Sequence, residues 1–125
     1  MIINKIMVVD DSPTERYFLG EMLSKHGYQV IVAESGEEAV VKARQEKPDL
    51  IIMDVVMPGL NGFQATRAIF GDEDTKGIPI VMCTTKGQET DKVWGMRQGA
   101  RDYIVKPVKQ DELLKRIAAL GARPN

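Results

Sequence analysis

The side chains best able to do chemistry stand where short apolar runs end. Asp10 and Asp11 follow residues 6–9, Asp54 follows Leu50–Met53, Thr84 and Thr85 follow residues 80–83, and Lys106 with Pro107 follows residues 103–105. If these runs are neighbouring strands, three carboxylates, a hydroxyl and an amine converge on one end of a sheet. Three crowded acids repel one another and resist ionisation unless a cation intervenes. A hard divalent ion is the economical solution, and an all-oxygen donor set suits magnesium better than zinc. Lys106 adds a second positive charge and Thr84 a donor, so the set is arranged to hold a phosphoryl group. Taken singly each feature has a plainer reading: a helix-capping acidic pair, a pre-proline turn, two β-favouring threonines. Their joint register at successive strand ends carries the chemical reading.

The positioning elements are legible in the hydrophobic pattern. Five apolar runs, at 6–9, 30–33, 50–53, 80–83 and 103–105, barely alternate, as strands covered on both faces do. Between them lie segments of helical spacing. Ser12-Pro13-Thr14-Glu15 and Ser35-Gly36-Glu37-Glu38 read as capping boxes, and Asn61-Gly62-Phe63-Gln64 as an Asn/Gln version. The expected inward faces are Phe18, Leu19, Met22 and Leu23; Ala39, Val40 and Ala43; Ala65, Ala68 and Ile69; Val93, Met96 and Ala100; and Leu113, Ile117 and Leu120. Strand then helix, five times over, predicts an α/β fold with a parallel sheet and helices on both faces. Ligands of such sheets sit at the carboxyl ends of the strands, where the candidate residues stand.

Composition narrows the functional classes. Seventeen Lys and Arg against 18 Asp and Glu leave 125 residues almost neutral, without the basic excess of a nucleic-acid binder. No apolar run approaches the roughly 20 residues of a membrane span, and the first residues do not resemble a signal peptide. A single cysteine, Cys83, excludes an intrachain disulfide and fits a reducing cytoplasm. His26, before Gly27, reads as a donor at a helix end. Trp94 reads either as a rim residue or as an exposed partner contact.

The ordered set Asp10-Asp11, Asp54 with Met57-Pro58-Gly59, Thr84, Tyr103 and Lys106-Pro107 resembles the CheY-like receiver domain of bacterial response regulators, over essentially the whole chain. DDSPTE at 10–15, PGLNGFQATR at 58–67 and TTKGQETDKVWGMRQGARDY at 84–103 further resemble stand-alone regulators of type IV pilus twitching motility and chemotaxis. The resemblance implies a flavodoxin-like five-stranded sheet of order 2-1-3-4-5 in a single domain, 1–125, with no output domain. It implies that Asp54 accepts a phosphoryl group from a CheA-like histidine kinase. Asp11 would ligate Mg2+ directly, Asp10 mainly through water, Asp54 as a third carboxylate and Val56 through its backbone carbonyl. Thr84 and Lys106 would bind phosphoryl oxygens, and Tyr103 would turn from an exposed to a buried rotamer. The implied output is a protein target on the face of the fourth helix, fifth strand and fifth helix, with no nucleic acid and no membrane insertion. Such a chain is a phosphoacceptor switch, or a phosphate sink for a shared kinase, rather than an enzyme acting on others. Thr85 departs from the small residue common at its place, and Val56 and Lys86 occupy places that tune water access. An aspartate-nucleophile phosphatase would carry a second acid where Val56 stands, and a flavodoxin-like cofactor binder would not place Asp10-Asp11 at its phosphate loop.

Overall fold

A computed structural model describes residues 1–123. Strands and helices alternate as β1 (Lys5–Val9), α1 (Pro13–Lys25), β2 (Gln29–Ala33), α2 (Gly36–Glu46), β3 (Leu50–Met53), α3 (Gly62–Phe70), β4 (Ile80–Thr84), α4 (Glu89–Arg97), β5 (Asp102–Val105) and α5 (Gln110–Leu120). All five strands pair in parallel, in the order β2-β1-β3-β4-β5. Each lies within a residue of its expected bounds at either end. Thr84 differs from expectation only in being the last residue of β4 instead of the first beyond it.

The near-continuous apolar runs have the expected cause. In β1, Ile6 and Val8 join one core with Leu19 and Leu23 of α1 and with Leu113 and Ile117 of α5. Met7 and Val9 point to the other face, among Ala39 and Ala43 of α2 and Ala65 and Ile69 of α3. Each such side chain contributes roughly 1.5–3 kcal/mol when fully buried. The edge strand β2 departs from this pattern: Gln29 and Val32 are exposed, because a strand at the rim has less cover. Val32 is nonetheless guarded, since Lys42 Nζ donates to its carbonyl at 2.5 Å.

Ser12, Ser35 and Asn61 all cap helices, accepting from the amides of Glu15, Glu38 and Gln64. Of these three, the reciprocal box closes only at Asn61, where Gln64 Oε1 accepts from the Asn61 amide at 2.9 Å. At Ser12 the amide is already taken by Asp10 Oδ1, which leaves the Glu15 carboxylate free for other work. Glu38 instead pairs with Lys42 at 2.9 Å. His26 ends α1 as read, its Nδ1 2.8 Å from the Met22 carbonyl.

Several helix faces differ from the periodic reading. Phe18, Ala68, Val93 and Met96 are exposed, and Val40 and Leu120 are half-buried. The reason is plainest at α4, whose contact with the sheet is Gly95. A Cβ there would come within 2.7 Å of Met82 Sδ and 3.1 Å of the Tyr103 ring. A glycine contact leaves no trace in hydrophobic periodicity. Ile3 N donates to Ala122 O at 2.8 Å and Ala122 N to Met1 O at 3.0 Å, clamping the segment after α5 onto the segment before β1. No helix among the described residues is long and apolar enough to cross a membrane.

Candidate site at the carboxyl edge of the sheet

Parallel pairing brings the ends of β1, β3, β4 and β5 side by side, and with them Asp10, Asp11, Asp54, Thr84 and Lys106. Asp54 continues the ladder, its amide donating to Val9 O at 3.0 Å. Its carboxylate is 7 % exposed as a residue, with Oδ1 accepting from the Val55 amide at 2.8 Å. Asp10 is buried, Oδ1 accepting from Ser12 N at 3.0 Å and Oδ2 from Lys106 Nζ at 2.8 Å. Asp11 is exposed at the lip of the site. One oxygen from each of the three acids lies within 4.8 Å of the others, so the group could hold a metal ion. Every donor in that cluster is a carboxylate, which suits a hard divalent cation better than zinc.

The backbone around Asp54 leaves no slack. Gly62, the first residue of α3, passes so close that a Cβ on it would sit 2.0 Å from the Asp54 carbonyl oxygen. Gly62 N also donates to Val55 O at 2.9 Å. Val56 is exposed beside this turn and shares a shallow hollow with Met57, Asn61, Phe63 and Lys86. Thr84 is wholly buried at the end of β4, its Oγ1 accepting from the Lys86 amide at 3.4 Å. Lys106 N donates to Thr84 O at 2.9 Å, tying the two phosphoryl-binding candidates through the β4–β5 ladder. Lys106 precedes Pro107 through a cis peptide bond.

Tyr103, on β5, stands two strands away from the nearest acid, Asp54 after β3, with β4 between them. It is 7 % exposed, with its hydroxyl donating to the Lys86 carbonyl at 2.6 Å. The resemblance implied an exposed starting rotamer; the structure holds the inward one, because the ring fills space against Gly95 and gains a hydrogen bond there. Thr85 and Trp94 are exposed.

Charge and burial act together on these groups. Burial pushes the Asp54 carboxyl above its ordinary value of 3.8 and the Asp10 charge adds to this, while Lys106, the Val55 amide and the Thr84 hydroxyl pull it back. Burial disfavours the Lys106 ammonium, yet the Asp10 hydrogen bond and the charges of Asp54, Asp10 and Glu15 outweigh it and raise its pKa. Burial, with Asp91 and Asp54, pushes the Tyr103 hydroxyl up to about 12, so it is a donor at neutral pH. Cys83 is pushed up to about 12 mainly by burial and is an inert thiol within the core.

Two residues of the site escaped the sequence reading. Glu15 Oε2 lies 3.7 Å from Lys106 Nζ, as close as Asp54 Oδ2 at 3.8 Å. Arg16 Nη1 donates to the Asp10 carbonyl at 2.7 Å while Nη2 bonds Glu34 at 3.0 Å, which braces the acidic loop against the end of β2. Glu15 carried a capping signal that masked it. Arg16 carried none, since its partners are set by tertiary packing.

Comparison with known proteins agrees with this geometry. Residues 6–118 match the response regulator receiver domain family. The chain is 62 % identical over 118 residues to the protein PilH of Pseudomonas aeruginosa, covering 94 % of this chain and 98 % of that one. Several transcriptional regulators also match, and of these the chain spans only about half the length, 46 % to 54 % in different cases. Among solved structures, chemotaxis protein CheY4 of Vibrio cholerae superposes with a TM-score of 0.88 at 36 % identity, covering 94 % of this chain and 98 % of that one. The receiver domain of the Pseudomonas aeruginosa sensor histidine kinase PA1611, described with magnesium coordinated in its active-site cleft, superposes at 0.86 and 32 % identity, covering 94 % and 96 %. With the acids, the buried threonine and the lysine gathered on a 2-1-3-4-5 sheet, and with the match extending from β1 into α5, the chain belongs to the response regulator receiver domain family.

Proposed function

We propose that the chain is a stand-alone phosphoacceptor switch of a phosphorelay that works on pilus-driven motility or chemotaxis in the cytoplasm. The observation that supports this most is the Asp54 carboxylate, buried at a strand end with one oxygen held by Val55 N and the other facing Lys106. The oxygen that Val55 does not hold attacks the phosphorus of a phosphohistidine on a kinase. A P–O bond forms, the P–N bond breaks, and its electron pair leaves on the imidazole nitrogen, which then takes up a proton. Asp10, Asp11, Asp54 and the Val56 carbonyl would hold Mg2+, which when bound would supply neutralisation of the phosphoryl oxygens. Thr84 and Lys106 donate to those oxygens, and hydrolysis by water later returns the carboxylate.

Drawing Thr84 and Lys106 toward the phosphoryl group shifts the loop whose Lys86 carbonyl already holds the inward Tyr103, and so reshapes the face of α4, β5 and α5 for a protein target. Trp94, Val93, Met96 and Val105 give that face exposed apolar surface. Labelled phosphate passed from candidate histidine kinases tests the reading: wild type gains one phosphoryl group and Asp54→Asn gains none. Equal labelling of the two would overturn the assignment. Uptake with unchanged binding to every motility target would assign a phosphate sink instead.

A further inference from the structure

Lys106 is ringed by more negative charge than phosphoryl recognition requires. Its ammonium, with 12 % of the side chain exposed, bonds Asp10 Oδ2 at 2.8 Å and lies 3.7 Å from Glu15 Oε2 and 3.8 Å from Asp54 Oδ2. Two of those acids belong to the cluster that could hold a metal, and Glu15 does not. Any cation that takes the Asp10 carboxylate competes with Lys106 for it. An ammonium displaced from a buried acid needs another acceptor, since a charge left unpaired in a half-buried place is costly.

Glu15 is built to be that acceptor. Its backbone is fixed in the first turn of α1, the amide donating to Ser12 Oγ at 3.3 Å. Its carboxylate is not consumed by the cap, because Asp10 Oδ1 already holds the Ser12 amide. At 38 % side-chain exposure it retains freedom to close the last fraction of an ångström onto Lys106. No other basic side chain among the described residues lies within ion-pair distance of Glu15.

We propose that Glu15 is a positioning residue that receives the Lys106 ammonium when a divalent cation takes Asp10, and so sets the cation affinity of the site. The inference rests on the reading of Asp10, Asp11 and Asp54 as the magnesium ligands. Metal entry and lysine displacement are then one exchange: Lys106 leaves Asp10, turns to Glu15, and remains beside Asp54 for the incoming phosphoryl group. Glu15→Gln removes the acceptor's charge, and Glu15→Asp keeps the charge on a stem one methylene shorter.

Calorimetric titration of the full chain with magnesium chloride tests this. Wild type binds, Glu15→Gln binds roughly three- to fivefold more weakly, as a partly exposed ion pair allows, and Glu15→Asp falls on the side of Glu15→Gln. In a Lys106→Ala background Glu15→Gln loses most of its effect, because there is no ammonium to receive. An equal loss in both backgrounds assigns Glu15 a general through-space charge effect and overturns the proposal. So do unchanged affinity in Glu15→Gln and wild-type affinity in Glu15→Asp. Failure of wild type itself to bind magnesium overturns the metal reading on which the proposal rests, a result the variants cannot imitate. Circular dichroism melts in chelator check that each variant is folded; Glu15 is half-exposed, so its substitutions are expected to melt near wild type.

Discussion

At the scale of single residues the site is a balance of charge, and Asp54 is the group on the unfavourable side of it. Its pKa is raised on folding, chiefly by burial. The folded chain therefore holds this proton more tightly than the unfolded one between the ordinary value of 3.8 and the folded value, and stability falls as pH rises through that window. Asp54→Asn removes the cost. In chelator, denaturant melts are expected to show no difference between the two proteins below the ordinary value, and a gain of roughly 0.5–2 kcal/mol for the variant at neutral pH. Lys106→Ala works in the opposite direction: it leaves buried Asp10 without its cation and costs roughly 1–3 kcal/mol in chelator, part of which magnesium restores. Its phosphoryl uptake persists, while the response of the Tyr103 region to a beryllofluoride adduct, read from amide signals between Thr84 and Lys106, is lost. The five principal side chains were legible from their places after apolar runs. Glu15 and Arg16 were not, since a helix-capping position and a surface arginine have the same appearance in sequence whether or not a site lies nearby.

At the scale of elements, the strands were read to within a residue because burial on both faces writes an unbroken apolar run. Helix faces were read less well where small residues make the contact. Two glycines in helices illustrate the difference and predict opposite signs. Gly20, inside α1, would place a Cβ 3.7 Å from Val30 Cγ1, an ordinary contact. Gly20→Ala therefore stabilises by about 0.5–1 kcal/mol through helix propensity. Gly95→Ala gains the same propensity but drives a methyl group to 2.7 Å from the fully buried Met82 sulfur and onto the Tyr103 ring. Overpacking of this kind costs about 1–3 kcal/mol, so the variant is expected to unfold at lower denaturant and to weaken the Tyr103–Lys86 hydrogen bond. Midpoints of urea unfolding for the two variants check both signs.

At the scale of the whole molecule, the three clustered carboxylates repel one another, and a bound cation relieves that repulsion. Magnesium at about ten times its Kd is expected to raise Tm by roughly 3–7 °C, with a smaller rise in Asp11→Ala; a differential scan with and without chelator measures it. The topology followed from the strand–helix alternation and the resemblance together, because alternation alone gives a doubly covered parallel sheet without giving the strand order. The clamp between Ile3 and Ala122 had no sequence signal, being two backbone hydrogen bonds in a non-periodic segment. The near approach of Gly62 to the Asp54 carbonyl has a last consequence. It makes the molecule mechanically lopsided. On one flank of Asp54, β3 and α3 are locked backbone to backbone, so a load applied there meets a rigid abutment. On the other flank the exposed loop at residues 85–88 is tied mainly by single bonds from Tyr103, Thr84 and Asp91. Under the proposed function, displacement started at Asp54 is expected to travel toward α4 and β5, the side held by single bonds, and not into the close-packed turn at Gly62.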